Sequence, residues 1–219
     1  MYLILTRRRM KKLVLLAVMF LGASAAFAQN YYYPVADNGL YPDATRIELY
    51  GGMVLPQSAW HYKNDDVDLG TTGWTAGIGF YRSVTRVLTL GLDGNYAQFG
   101  DGDKRADNSY YRTGAATALV AARINFFPRH ATRIYIPVGV GLGHIFVRQR
   151  FPDDSHKTYD STKWAAMGGL GLEFDIDENI IFGIEGRMYR MEMRSDMKEA
   201  FGKGHTHYSE VMLKFGFRM

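Results

Sequence analysis

Apolar residues recur at every second position from Thr45 onward, the period of a strand whose two faces meet different surroundings. The pattern predicts eight strands, over residues 45–55, 72–82, 86–98, 110–127, 133–147, 162–175, 179–193 and 206–219. Their connections alternate in length. RSVTR (82–86), PRHATR (128–133) and DIDEN (175–179) are short, whereas 56–71, 99–109, 148–161 and 194–205 are long and polar. Short turns at one end and long loops at the other predict an all-β fold, an eight-stranded antiparallel up-and-down barrel crossing an outer membrane with its termini on the periplasmic side.

The two faces decide between a soluble barrel and a membrane one. One parity reads Trp74, Ala76, Ile78, Phe80; Leu88, Leu90, Leu92; Val120, Ala122, Ile124, Phe126; Ile134, Ile136, Val138, Val140, Leu142; Leu170, Leu172, Phe174; and Val211, Leu213, Phe215, Phe217, without a charge. The other holds Glu48, Asp93, Arg123, Glu173, Glu185, Arg187, Glu210, Lys214 and Arg218. A soluble barrel needs an apolar interior. An Arg or Lys facing lipid near the midplane would cost about 2–4 kcal/mol, so the charges are expected inside and the aliphatics against lipid. Aromatic residues agree. Trp74, Tyr96, Phe146 and Trp164 fall at the long-loop ends, and Phe80, Phe126, Phe174, Phe182 and Phe217 at the short-turn ends. The ten residues from Trp164 to Phe174 span about 25 Å at 40° tilt, the height of an outer-membrane apolar band.

The segment before these strands reads as a leader. Residues 1–28 carry a basic start (Arg7, Arg8, Arg9, Lys11, Lys12), an apolar run from Leu13 to Leu21 and a small-residue end at Ala26-Phe27-Ala28, the pattern of a cleaved secretory signal. Residues 29–44, with Tyr31, Tyr32 and Tyr33, are expected to form a periplasmic arm, and 45–219 the barrel. Removing the five basic leader residues from the 26 of the chain leaves 21 against 22 acidic ones. The exported chain is then near neutral, and no nucleic-acid partner is expected. Absence of cysteine excludes disulfides and thiol chemistry.

IPVGVGLGHIFV (136–147), GIEGRMYR (183–190) and SEVMLKFGFRM (209–219) resemble strands of the small eight-stranded outer-membrane barrels of the OmpA, OmpX and OmpW type. Such barrels commonly end on a terminal Phe or Trp; here Phe215 and Phe217 keep the alternation, but the last residue is Met219. The resemblance implies a monomer placed by periplasmic chaperones and the barrel-assembly machinery among outer-membrane lipid and lipopolysaccharide. Family members range from anchors and adhesins to small channels and lipid-modifying enzymes.

Candidate chemistry lies in four places. Arg123, Glu173, Glu185, Arg187, Glu210 and Lys214 share the inward parity and predict a lumen charge network, since buried charges require partners and an eight-stranded interior is just filled by side chains. HTHYSE (205–210) sets His207 two residues from Ser209, a spacing similar to that of lipid A deacylase barrels, whose downstream Glu has no counterpart here, with Glu192 on the neighbouring strand as the substitute carboxylate. The expected Asn after the serine is Glu210. GDGDKRADN (100–108) is loosely like a calcium loop, yet the bidentate glutamate needed at its twelfth position is missing, so a solvated loop is expected. The glycines 139, 141 and 143 look like a phosphate loop, but no helical period follows them. They read as strand positions kept small to leave lumen volume for Arg123 and Glu173. No cofactor and no metal are expected.

The function expected is non-enzymatic: an integral outer-membrane protein acting in envelope integrity or surface contact through its loops. A narrow channel for small or hydrophobic solutes and a lipid A-modifying hydrolase are the alternatives.

Overall fold

The computed structural model describes residues 44–57, 70–102, 108–127, 131–153, 155–195, 197–198 and 204–219. The expected leader (1–28), and the expected arm (29–44) but for its last residue, lie outside the described residues. Eight strands follow in chain order: β1 (Thr45–Pro56), β2 (Thr71–Ser83), β3 (Leu88–Gly100), β4 (Tyr110–Phe126), β5 (Thr132–Arg150), β6 (His156–Asp175), β7 (Ile180–Glu192) and β8 (His205–Arg218). Each pairs antiparallel with the next, and β8 pairs with β1, so the sheet closes into a barrel. Closure leaves the wall no unpaired edge, which a strand in hydrocarbon requires because an unpaired backbone group there costs several kcal/mol.

The register sets the tilt. From Ile47 the rungs pass through Phe80, Leu92, Val120, Val140, Ala166, Arg190 and His207 and return to β1 at Gln57, whose amide reaches the His207 carbonyl at 3.4 Å. A stagger of ten residues over eight strands tilts them by about 40°. The outward parity is apolar along the middle of the wall: Leu92, Val120 and Leu142 are 61%, 63% and 61% exposed. Such exposure is stable in lipid and would be unusual in water.

The short turns carry their own caps. In the turn after β2, Thr85 Oγ1 accepts the Leu88 amide at 2.9 Å, and in that after β6, Asp177 Oδ1 accepts the Asn179 and Ile180 amides, both at 2.7 Å. These side chains satisfy amides that a tight reversal leaves free.

One expected loop is largely strand. The 148–161 stretch continues the β5–β6 ladder from Val147–Tyr159 up to Arg150–His156, and Phe151 and Ser155 close the tip with an amide-to-carbonyl bond of 3.0 Å. Within the tip Asp153 Oδ1 accepts the Ser155 hydroxyl at 2.6 Å and its amide at 3.1 Å, which together hold the Asp153 carboxyl below its ordinary range. The sequence pattern missed this hairpin because its faces are exchanged. Val147 and Gln149 are buried inside while Arg148 and Arg150 are exposed outside, the arrangement of a sheet in water rather than in lipid.

Candidate functional site

Inward residues of all eight strands meet in the half of the lumen nearest the short turns. At its end, Arg133 bonds Glu173 at 2.9 Å and Asp175 at 2.6 Å, and Arg218 reaches Asp175 at 2.9 Å. One layer deeper, Arg46 bridges Glu173 at 3.2 Å and Glu48 at 3.1 Å. Arg123 then grips Glu48 with both Nη atoms, at 2.5 and 2.7 Å, the bidentate fit of a planar guanidinium to a carboxylate. Lys214 Nζ lies 2.6 Å from Glu48 and 2.7 Å from Glu185. Above it Arg187 pairs with Glu185 through Nε and with Asp93 through both Nη atoms, at 2.8 and 3.0 Å.

Four tyrosines complete these layers. Tyr50 and Tyr81 each donate to Asp93 at 2.6 Å, Tyr135 donates to Glu185, and Arg187 donates to Tyr189 at 3.1 Å. The Arg123 guanidinium sits 3.6 Å over the Tyr81 ring, a cation held against the negative face of an aromatic. Glycines make room for the rings. A Cβ at Gly77 would lie 2.3 Å from the Tyr50 ring, one at Gly79 2.3 Å from Tyr81, and one at Gly171 2.1 Å from Tyr135. The result is a filled section: a cavity of about 10 Å³ between Glu48, Tyr135, Glu173 and Lys214 has room for about one water.

Of the six residues singled out from sequence, Arg123, Glu173, Glu185, Arg187 and Lys214 enter this network. Glu210 stands one layer above it, where its carboxylate accepts from Thr75 at 2.9 Å and Asn95 at 3.1 Å. Arg46, Arg133 and Asp175 belong to the network and were missed, although alternation from Arg46 to Glu48 and from Arg133 to Tyr135 carries the inward parity to the strand ends. The tyrosines were missed because parity reports charge more plainly than ring placement.

Toward the long loops the lumen changes character. Val54, Ala97, Phe99, Ala115, Leu119, Ile145, Ala165, Met167 and Met191 form a buried apolar cluster, joined by Met197 from the segment after β7. Phe99 meets Tyr208 edge-on at 5.6 Å, and Tyr208 stacks on Tyr189 at 4.7 Å. The β5 glycines serve this half. A Cβ at Gly139 would meet Met167 and Leu119 at 3.2 and 3.3 Å, and one at Gly143 would meet Met191 at 2.4 Å. The neighbours that need the space are therefore methionine and leucine, not Arg123 and Glu173 as the sequence suggested.

On the outer surface, His207 and Ser209 lie on the outward parity of β8, with His205 one step further toward the loops. Ser209 Oγ accepts from Gln57 Nε2 at 2.6 Å, and the ladder sets Met188 opposite Ser209, Arg190 opposite His207 and Glu192 opposite His205. Glu192 is thus carried two rungs away from His207 and four residues' length from Ser209, which leaves the hydroxyl beside an amide instead of a base oriented by a carboxylate. Among the described residues no group of three or more His, Asp or Glu is arranged to hold a metal ion. Most of the calcium-like run, 103–107, lies outside them.

A family model described as "Outer membrane protein beta-barrel domain" matches residues 13–217. No curated protein matches the chain. Among solved structures it is similar to a major outer membrane protein of Thermus thermophilus, at 11% identity and a TM-score of 0.56 over 82% of this chain and 100% of that one. It is also similar to Ail, the attachment invasion locus protein of Yersinia pestis, at 14% identity and a TM-score of 0.50 over 82% and 100%. A third similarity is to OprG of Pseudomonas aeruginosa, at 17% identity and a TM-score of 0.49 over 83% and 98%. A closed eight-stranded wall, an apolar exterior and a model match across nearly the whole chain lead to one conclusion: this chain is an outer-membrane protein and belongs to the outer membrane protein beta-barrel domain family.

Proposed function

We propose that the chain is a non-enzymatic surface protein of the outer membrane, with a lumen closed to solutes and a role in envelope integrity or surface contact through its long-loop end. The observation that carries the reading is the ion-pair network drawn from seven of the eight strands, with Tyr81 joining from β2, whose guanidinium and carboxylate groups meet across the lumen axis. A solute path through it would strip several charges of their partners at once, and each pair broken in this way costs about 3–5 kcal/mol. The Gln57 contact at Ser209 and the distant register of Glu192 support a non-enzymatic role. The exposed cations Arg112, Arg148 and Arg150, on neighbouring rungs of β4 and β5, support contact at the loop end. For comparison, Ail was crystallised with the heparin analogue sucrose octasulfate. The same reading gives a monomer surrounded by outer-membrane lipid and lipopolysaccharide, delivered by periplasmic chaperones and the barrel-assembly machinery.

Planar-bilayer recording of the refolded protein tests it. The expected outcome is no stable conductance from the wild type and the appearance of one in Arg187→Ala. Steady wild-type conductance whose ion selectivity changes in Arg123→Gln would overturn the closed lumen and favour the channel.

A further inference from the structure

The loop-end aromatic belt does not run all the way round the barrel. Trp74 on β2, Tyr96 on β3, Phe146 on β5 and Trp164 on β6 face outward at this level, with Trp74 and Tyr96 at 5.6 Å and Tyr96 and Phe146 at 6.3 Å. On β4 the same belt is kept by the Phe146 ring, which lies across Gly114: a Cβ there would meet it at 2.2 Å. On β1 the level holds Met53 and Leu55 instead of an aromatic, and on β7 and β8 no Trp, Tyr or Phe faces outward there. Arg190 occupies the position, two residues' length from Trp164 across the β6–β7 ladder, through its rung with Ala166. Its other rung is to His207, whose ring lies 5.1 Å from that of His205.

Burial fixes how this arc meets the bilayer. Toward the midplane the same outward face is apolar, with Met188, Val211 and Leu213 each more than half exposed. Arg190 and His205 are exposed and His207 is half-buried. A guanidinium at the upper edge of an apolar wall stands where the headgroups of outer-leaflet lipids begin, and its planar fork fits the phosphate those headgroups carry. Arg190 has no carboxylate partner among the described residues. Glu192, facing outward opposite His205, lies on the loop side of Arg190, so the bilayer side of the cation stays open.

The geometry points to an outward anion site, formed by Arg190 with His205 and His207, that holds the phosphate of an outer-leaflet lipid headgroup against the β7–β8 wall. The inference rests on the outer-membrane placement of the chain and is independent of whether the lumen is closed. It gives the barrel one lipid-fixing arc, set apart from the aromatic rings of β2 to β6 and the apolar side chains of β1.

The test is native mass spectrometry of the refolded full chain in neutral octyl glucoside micelles, titrated with bis-phosphorylated lipid A, the same lipid dephosphorylated, and inorganic phosphate. The wild type is expected to retain the phosphorylated lipid roughly tenfold more tightly than the dephosphorylated one, in line with one charge-assisted phosphate contact. Arg190→Gln and the double variant His205→Gln/His207→Gln are expected to lose most of that preference, and Arg148→Gln, higher on the wall, to keep it. Folding of each variant is read from its heat-modifiable gel mobility, and the wild-type lipid comparison stands without any variant. Equal retention of the two lipids, an unchanged preference in folded Arg190→Gln, or inorganic phosphate bound as tightly as the lipid would each overturn the site. Fatty acid released from lipid A would overturn it in favour of a hydrolase, while the conductance measurement would be untouched by any of these results.

Discussion

The two halves of the lumen are built on opposite principles. Near the short turns the interior is charge and tyrosine, with Arg123 and Arg187 at 0% and 1% exposure and each paired with carboxylates. Near the long loops it is Val54, Phe99, Ile145, Val147 and methionines. The outer surface changes in the reverse sense, from Leu92 and Val120 beside the charged half to Arg148 and Arg150 beyond the apolar one. The surrounding medium accounts for the outer change, and the inner one begins below it. Where lipid covers the outside, apolar residues are drawn outward and the charges must satisfy one another within; the apolar interior starts at Leu119 and Met167, still behind lipid-facing Val120 and Leu142, and continues as Val147 behind Arg148, where water covers the wall and the ordinary hydrophobic effect applies. One wall thus passes from membrane-protein logic to soluble-barrel logic along the length of its strands.

This contrast can be broken most severely in the charged half. Arg187→Met removes the cation paired with Asp93, leaving that carboxylate only the Tyr50 and Tyr81 hydroxyls, while Glu185 keeps Lys214; a loss of about 3–5 kcal/mol in urea unfolding of the refolded protein is expected. Leu119→Ala in the apolar half removes a side chain that is 2% exposed and packed toward Gly139, and a loss of about 2–4 kcal/mol is expected from lost packing. The smallest effect falls at the boundary. Glu210→Gln keeps the shape and faces only the neutral donors Thr75 and Asn95, and Asn95 has an unsatisfied Oδ1 with which to accept once its amide is turned. A change under about 1 kcal/mol is expected by the same unfolding measurement. A large loss there would show that the charged half extends further up than its ion pairs do.

Legibility in the sequence followed the same boundary. Strands in the bilayer were readable because lipid enforces strict alternation, so Val120, Ala122, Ile124 and Phe126 declared both the strand and its outward face. The ladder above them was not. Arg148, Arg150 and Thr158 are outward residues in water, and a polar outward face beside Val147 and Tyr159 reads as loop to a pattern set by lipid. In the lumen, Arg123 and Glu185 stood out by charge and parity. That Arg123 would meet Glu48, or Arg187 would meet Asp93, depends on the stagger of the closed barrel, a property of all eight strands together that no local window contains. The role of Gly139 and Gly143 was hidden for the same reason, since Met167 and Met191 reach them from β6 and β7.

The ion pairs also impose an order in time. Arg46 on β1 meets Glu173 on β6 from 127 residues away, and Arg187 meets Asp93 from 94 away, so neither can form between sequential neighbours in a growing sheet. Contacts of such long range are late by nature, because the chain between them must first be placed. Until the barrel closes, these two pairs have water for company, while neighbours such as Arg133 and Glu173 on β5 and β6 can already meet. Joining the last strand to the first is then the event that dries the lumen, and the network serves as the latch by which a finished barrel differs from an open sheet.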